Sequence, residues 1–189
     1  NENSAEFAGA IENNRNLTIK ESHLCRNVTK RSGGLIRNKN GEVKISDSIL
    51  NENTANENGG VIENNGMLTL VDCTLENNRA EENGGAGNHQ KGNFKIIKSI
   101  FSNNTSPNSI ISNGDALEIY NSSFNANTTR NLIVIDEESK MSSIYNSFIE
   151  NWVERSVICN NGVSTIDKDS FSGNLMEDDS YNIINYDYL

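Results

Sequence analysis

Several things are scarce in this chain of 189 residues, and each scarcity removes a class of protein. There is one proline, Pro107, and aromatic residues make up 6%. Apolar residues reach only 34%, a level that on composition alone suggests disorder. Disordered chains, however, are proline-rich and aperiodic, and this chain is neither. Lysine and arginine number 16 against 26 acids, giving a net charge of −10. Nucleic-acid binding draws its electrostatic part from clustered cations, so a nucleic-acid partner is excluded. No apolar run approaches the roughly 18–20 residues of a membrane span. Asn1-Glu2-Asn3-Ser4 has neither the basic region nor the apolar segment of an export signal, so any such signal is expected outside this stretch. What is abundant is polar: 34 Asn and 30 Ser plus Thr.

The abundance is periodic. The phrase F/L-x-x-N begins at Leu24, Leu50, Leu75, Phe101, Phe124, Phe148 and Phe171, and successive copies lie 23 to 26 residues apart. Five residues before each anchor stand Ile19, Ile45, Leu70, Ile96, Ile119, Ser143 and Ile166. Seven before stand Leu17, Val43, Leu68, Phe94, Leu117, Met141 and Ser164. The position between them is polar in every copy, from Thr18 and Lys44 to Thr165. Apolar–polar–apolar alternation is the signature of a half-buried strand. Thirteen before the anchor come Ile11, Ile62, Ile111, Ile135 and Ile158, with Ile36 displaced by one. Eleven before come Asn13, Asn64, Asn113 and Asn160, with Gln90 and Glu137 in the other copies. Gly9, Gly33-Gly34, Gly59-Gly60 and Gly84-Gly85 open the early copies, and the last three lack the pair.

Three short strands per repeat, separated by Asn and Gly turns, predict an all-β fold: a right-handed, single-stranded parallel β-helix (solenoid) of about seven rungs. Asn tolerates left-handed backbone at bends, and stacked Asn side chains can hydrogen-bond from rung to rung. A rise of about 4.8 Å per rung makes the stack roughly 34 Å long. Each rung is expected to bury five or six small aliphatics. A leucine-rich repeat has a similar period, but it places Asn three residues after the last strand Leu. Here eight residues separate the two. We read 1–189 as a single β-helix domain, expected to be a fragment of a longer solenoid or one capped by a partner chain.

The pairing of G-G-A-[ILV] with F-x-x-N, seen in Gly33-Gly34-Leu35-Ile36, Gly59-Gly60-Val61-Ile62 and Gly84-Gly85-Ala86-Gly87 together with the seven anchors, resembles the passenger domains of chlamydial polymorphic outer membrane proteins. It is also similar to the Asn-rich adhesin-like surface proteins of methanogenic archaea. The resemblance spans nearly the whole chain and implies a cell-surface protein used in adhesion. The C-terminal β-barrel of the bacterial family is missing from this stretch.

Candidate chemistry is sparse. The acids Asp136-Glu137-Glu138, Asp167 with Asp169, and Glu177-Asp178-Asp179 read as solvated turn residues, and nothing singles out the acid pair a glycosidase needs. Asp169 falls in a turn column with Ser22, Ser48, Cys73, Ser99, Ser122 and Asn146. His23 and His89 lie three rungs apart and read as surface histidines, too distant for a metal site or a triad. Gly84-Gly85-Ala86-Gly87-Asn88-His89 resembles a calcium-binding nonapeptide but occurs once and has Asn for Asp. Neither metal nor cofactor is expected. Lys95 and Glu118 are expected to pair across rungs. Sequons begin at Asn16, Asn27, Asn103, Asn104, Asn121 and Asn127, about as many as chance gives. Trp152, just after an anchor Asn, and Tyr145, in an outward column, are the binding candidates, since exposed aromatics are common platforms for sugars and proteins. Cys25, Cys73 and Cys159 fall in different columns, and the nearest two lie two rungs apart. That is about 9–10 Å along the axis, whereas bridged Cα atoms lie about 4.4–6.8 Å apart. No intrachain disulfide is expected.

The functional reading is a non-enzymatic extracellular or cell-surface segment, adhesin-like, that displays side chains to surface proteins or glycans and can meet neighbouring solenoid chains end to end. The alternatives are a polysaccharide-active enzyme of pectin-lyase-like fold and a structural subunit of a surface appendage or filament.

Overall fold

The computed structural model describes residues 2–176 and 180–185. Strands and turns alone make up this part, with no helix among the described residues. Every strand pair is parallel, and the strands form two seven-stranded sheets, one of nine and one of four. The chain is a parallel β-solenoid of about seven turns, as the repeat predicts.

Register follows the sequence columns. Leu24, Leu50, Leu75, Phe101, Phe124, Phe148 and Phe171 pair in one vertical row. The four phenylalanines stack with centroids 4.7, 5.2 and 4.9 Å apart and ring planes within 15° of parallel. Offset stacking of this kind adds to the area each ring buries. The row that starts at Ile19 and the row that starts at Leu17 are likewise in register through all seven rungs.

The structure corrects two expectations and adds one row. First, the isoleucine row contains Ile36, Gly87 and Ile133, and Ile135 stands two positions further along. The turn that follows Ile135 is two residues longer than its counterpart after Asn113, so a fixed count back from the anchor stops two residues short. For the same reason the Asn row runs Asn13, Asn38, Asn64, His89, Asn113, Ile135, Asn160, and Gln90 and Glu137 lie outside it. Gly87 fits this row because Phe94 fills the space, a Cβ on Gly87 coming within 3.3 Å of that ring.

Second, a further buried row precedes the isoleucines: Leu35, Val61, Ala86, Ile110, Leu132 and Val157, all fully buried. Consecutive residues can both face inward because the chain turns there. In the early rungs the turn is the Gly-Gly bend. Gly33, Gly59 and Gly84 have φ of 75°, 66° and 64°, and a Cβ on Gly34 or Gly60 would lie about 2 Å from a carbonyl oxygen of the next rung. The bend also sets off a fourth, two-residue strand in these rungs: Val28–Thr29, Thr54–Ala55 and Arg79–Ala80. Ser109, Asn131 and Ser156 follow in the glycine column, and in the last two of these rungs the shortened connection runs on as the continuous strands Thr128–Ile135 and Trp152–Asn160.

Third, the ladder asparagines are not the left-handed residues. Positive φ falls on the residue just before each ladder position: Arg26, Glu52, Asn77, Asn103, Ala126, Glu150 and Gly173 at one bend, and Glu21, Asp47, Asp72, Lys98, Asn121, Tyr145 and Lys168 at another. The Asn that follows carries the hydrogen bonding across the bend. Asn127 is typical. Its Oδ1 accepts from the Asn104 N–H (3.0 Å) and Nδ2 (3.1 Å), and its Nδ2 donates to the Phe101 carbonyl and to Asn151 Oδ1, both at 2.9 Å. The same pattern links Asn27, Asn53, Asn78, Asn104, Asn127, Asn151 and Asn174. At the other bend Ser48, Ser99 and Ser122 hydroxyls accept the N–H of the preceding rung's residue.

Core and ladder should each be indispensable. Phe124→Ala removes one stacked ring and is expected to cost about 3–5 kcal/mol in a denaturant melt; near-zero loss would mean that the row faces solvent. Asn127→Ala is expected to cost about 2–6 kcal/mol, because two buried donors of Asn104 lose their acceptor at about 1–3 kcal/mol each. A loss of a few tenths would mean that the ladder bonds are not made.

Candidate functional site

With the interior given to self-stacking, chemistry has to be sought in outward columns and in bends. The carboxylates do not converge. Asp169 accepts from the Asn146 N–H at 2.7 Å and from its Nδ2 at 3.2 Å, and also from the Ser143 hydroxyl. Ser143 replaces isoleucine in an inward row, and the Asn146 side chain bonds it at 3.0 Å. These three form one polar cluster in which each departure from its column satisfies another. Asp167 is exposed and lies 3.8 Å from Lys168 Nζ. Burial pushes the Asp136 carboxyl above its usual range, helped by the charge of Glu137. Burial likewise raises Glu63, whose Oε2 lies 3.5 Å from Arg37 Nε and whose Oε1 accepts from Gln90. Glu177, Asp178 and Asp179 lie outside the described residues. Among those residues no group of three or more His, Cys, Asp or Glu is placed to hold a metal ion.

Lys95 and Glu118 do pair, at 3.1 Å, worth a few tenths of a kcal/mol at this exposure. No disulfide joins the three cysteines, all of which are buried. Cys73 stands in for serine in its ladder, facing the Val71 and Ile45 carbonyls, and burial pushes its thiol up. The sequons divide by ladder. Asn27, Asn104 and Asn127 are fully buried with Nδ2 engaged, while Asn16, Asn103 and Asn121 are exposed.

The two histidines differ. His23 is exposed and meets Asn51 Oδ1 at 2.8 Å, as a surface histidine would. His89 is not on the surface: it is 1% exposed and occupies the Asn ladder between Asn64 and Asn113. Asn64 Nδ2 lies 2.8 Å from Nδ1, and Nε2 lies 3.1 Å from the Gly92 carbonyl. An amide can only donate from Nδ2, so Nδ1 is the acceptor and the ring is neutral with its proton on Nε2.

The aromatic candidates sit at opposite ends of the strand Ser147–Ile149, and the fold does not bring them together. Tyr145 is already engaged: Lys168 Nζ donates to its hydroxyl at 2.9 Å and lies 4.8 Å from the ring centroid. Trp152 is 41% exposed and lines a groove of about 250 Å³. Its row runs Arg79, Thr105, Thr128, Trp152 over four rungs. Pro107, Arg130 and Glu154 supply the rest of the wall. The groove lies where the Gly-Gly bend of the early rungs gives way to straight strands. Extending the column count four residues past each anchor exposes this row in the sequence, but nothing there marks the transition. A larger depression of about 580 Å³ lies over Gly41, Gly66 and Gly92. Its Lys39 and Glu42 are already paired with Glu12 (2.7 Å) and Lys44 (2.8 Å).

No family model, curated protein or solved structure matches the chain.

Burial holds the His89 imidazole below its usual 6.5. Between the folded and unfolded values the unfolded chain binds more protons, so stability rises with pH there. The contribution is complete above about 6.5 and is lost as the pH falls below it. The denaturation midpoint of the parent chain is expected to fall more steeply from about pH 7 to about pH 5 than that of His89→Asn. Superimposable profiles would mean that His89 titrates alike folded and unfolded.

Proposed function

We propose that the chain is a non-enzymatic β-helical display segment of an extracellular or cell-surface protein, adhesin-like in action. The observation that carries this reading is the continuous register. Outward positions recur rung by rung on a backbone that is hydrogen-bonded through strands and bends alike. A partner surface or glycan therefore meets a backbone already ordered, and the entropy cost of binding is confined to side chains. The acidic, Asn-rich composition supports an aqueous setting, and the Gly-Gly and F-x-x-N motifs, with their resemblance to surface passenger domains, support the cell-surface assignment. Fold alone does not decide function.

Beads coated with the folded chain should bind glycan- or protein-coated surfaces above beads coated with the heat-denatured chain. Incubation with pectin, polygalacturonate, alginate or chondroitin should release neither reducing ends nor unsaturated products. Cleavage that disappears on substitution of Asp167 or Asp169 would replace this reading with the enzymatic one.

A further inference from the structure

We propose that the groove around Trp152 is a saccharide-binding site for a neutral, hydroxyl-rich pyranose unit. The proposal rests on the display reading and names the ligand chemistry of one part of that surface. Trp152 is 41% exposed, so its indole presents apolar surface against which the apolar face of a sugar ring can pack while its hydroxyls turn to the walls. The walls are suited to hydroxyls. Thr105 and Thr128 stand in the same row as Trp152, and their hydroxyls both donate and accept.

Arg130 and Glu154, from adjacent rungs, line the groove too, and neither forms an ion pair within 4.0 Å among the described residues. A guanidinium supplies only donors and a carboxylate only acceptors. A neutral diol can satisfy both at once, whereas a uronate would gain at Arg130 only what it loses at Glu154. Arg79, the other cation of the groove, is held by Glu81 in two bonds of 2.8 and 3.0 Å. The four charged side chains cancel, which again favours a neutral ligand.

Size and rigidity agree with this. At about 250 Å³ the groove is smaller than the roughly 300–1,000 Å³ of drug-sized sites. Its floor is fixed by the Trp152 N–H bond to the Asn127 carbonyl (2.8 Å) and the Thr128 N–H bond to the Asn104 carbonyl (3.0 Å). The backbone of the site is therefore preorganised, and only side-chain ordering opposes binding.

Trp152 is the sole tryptophan, so its fluorescence reports the site directly. The full chain is titrated with neutral hexasaccharides of glucose, mannose and galactose, and with hexagalacturonate as the acidic comparator. At least one neutral oligosaccharide should shift the emission saturably with a dissociation constant near about 1 mM or below. Arg130→Ala and Glu154→Ala should each weaken it about 10-fold, as expected for a lost charge-assisted hydrogen bond, with unchanged melting curves. Hexagalacturonate should bind more weakly. The site is overturned if no neutral sugar gives a saturable change, if both variants bind as the parent does, or if the acidic sugar binds best. Trp152→Ala beads separate the two readings: undiminished adhesion sinks the site and leaves display standing, whereas hydrolysis of a sugar sinks display itself.

Discussion

The whole structure depends on keeping the backbone hydrogen-bonded where it bends. A solenoid strand passes its N–H and C=O groups to the rungs on either side, but at each corner a left-handed residue breaks the ladder. Those corners are buried, and an unpaired polar group there costs about 1–3 kcal/mol. An asparagine immediately after the left-handed residue solves this, because its amide has the donor and acceptor of a peptide group. Stacked Asn27 through Asn174 carry the ladder across one corner in the side chains. Serine hydroxyls do the same with one acceptor at a second corner, and at a third, where no left-handed residue precedes them, Asn13, Asn38 and Asn64 bond side chain to side chain. The abundance of Asn is a consequence of this repeated need.

That constraint makes each column the unit of tolerance. Where a column departs from its type, the consequence stays within neighbouring rungs, as expected of a nearly one-dimensional stack. Ile135 interrupts the third ladder, and Asn160 Oδ1 is left buried without a donor. His89 turns its one N–H to Gly92, and Asn113 Oδ1 is left likewise. In the Ser143, Asn146 and Asp169 cluster, by contrast, the departures answer one another, so a hydroxyl can sit in an isoleucine row. Polar residues thus hold the corners while a narrow apolar interior fills the faces between them, which is how so hydrophilic a chain folds.

Because the interior serves stacking, what differs from rung to rung is outside. The outward rows do not repeat: Lys95 faces Glu118, Tyr145 lies beneath Lys168, and Trp152 continues a row of threonines and an arginine. The strands become continuous at Asn131 and Ser156, in the rungs that carry Thr128 and Trp152.

The sequence by itself determined the parallel stack, its period, and most of its inward columns, because alternation within a strand and a constant anchor-to-Asn spacing survive any variation elsewhere. It also singled out Trp152 and the Lys95–Glu118 pair, whose columns can be counted directly from the anchors. What only the tertiary structure decided lies beyond the bends of variable length. Ile133 rather than Ile135 in the isoleucine row, and His89 buried rather than exposed, follow from turns that are one or two residues longer in some rungs. Arg79, Thr128, Arg130 and Trp152 likewise meet in one groove only because four rungs stack in a particular register over a bend that straightens. Periodicity fixes what a residue faces within its own rung, whereas neighbours across rungs depend on loop lengths that the repeat does not constrain.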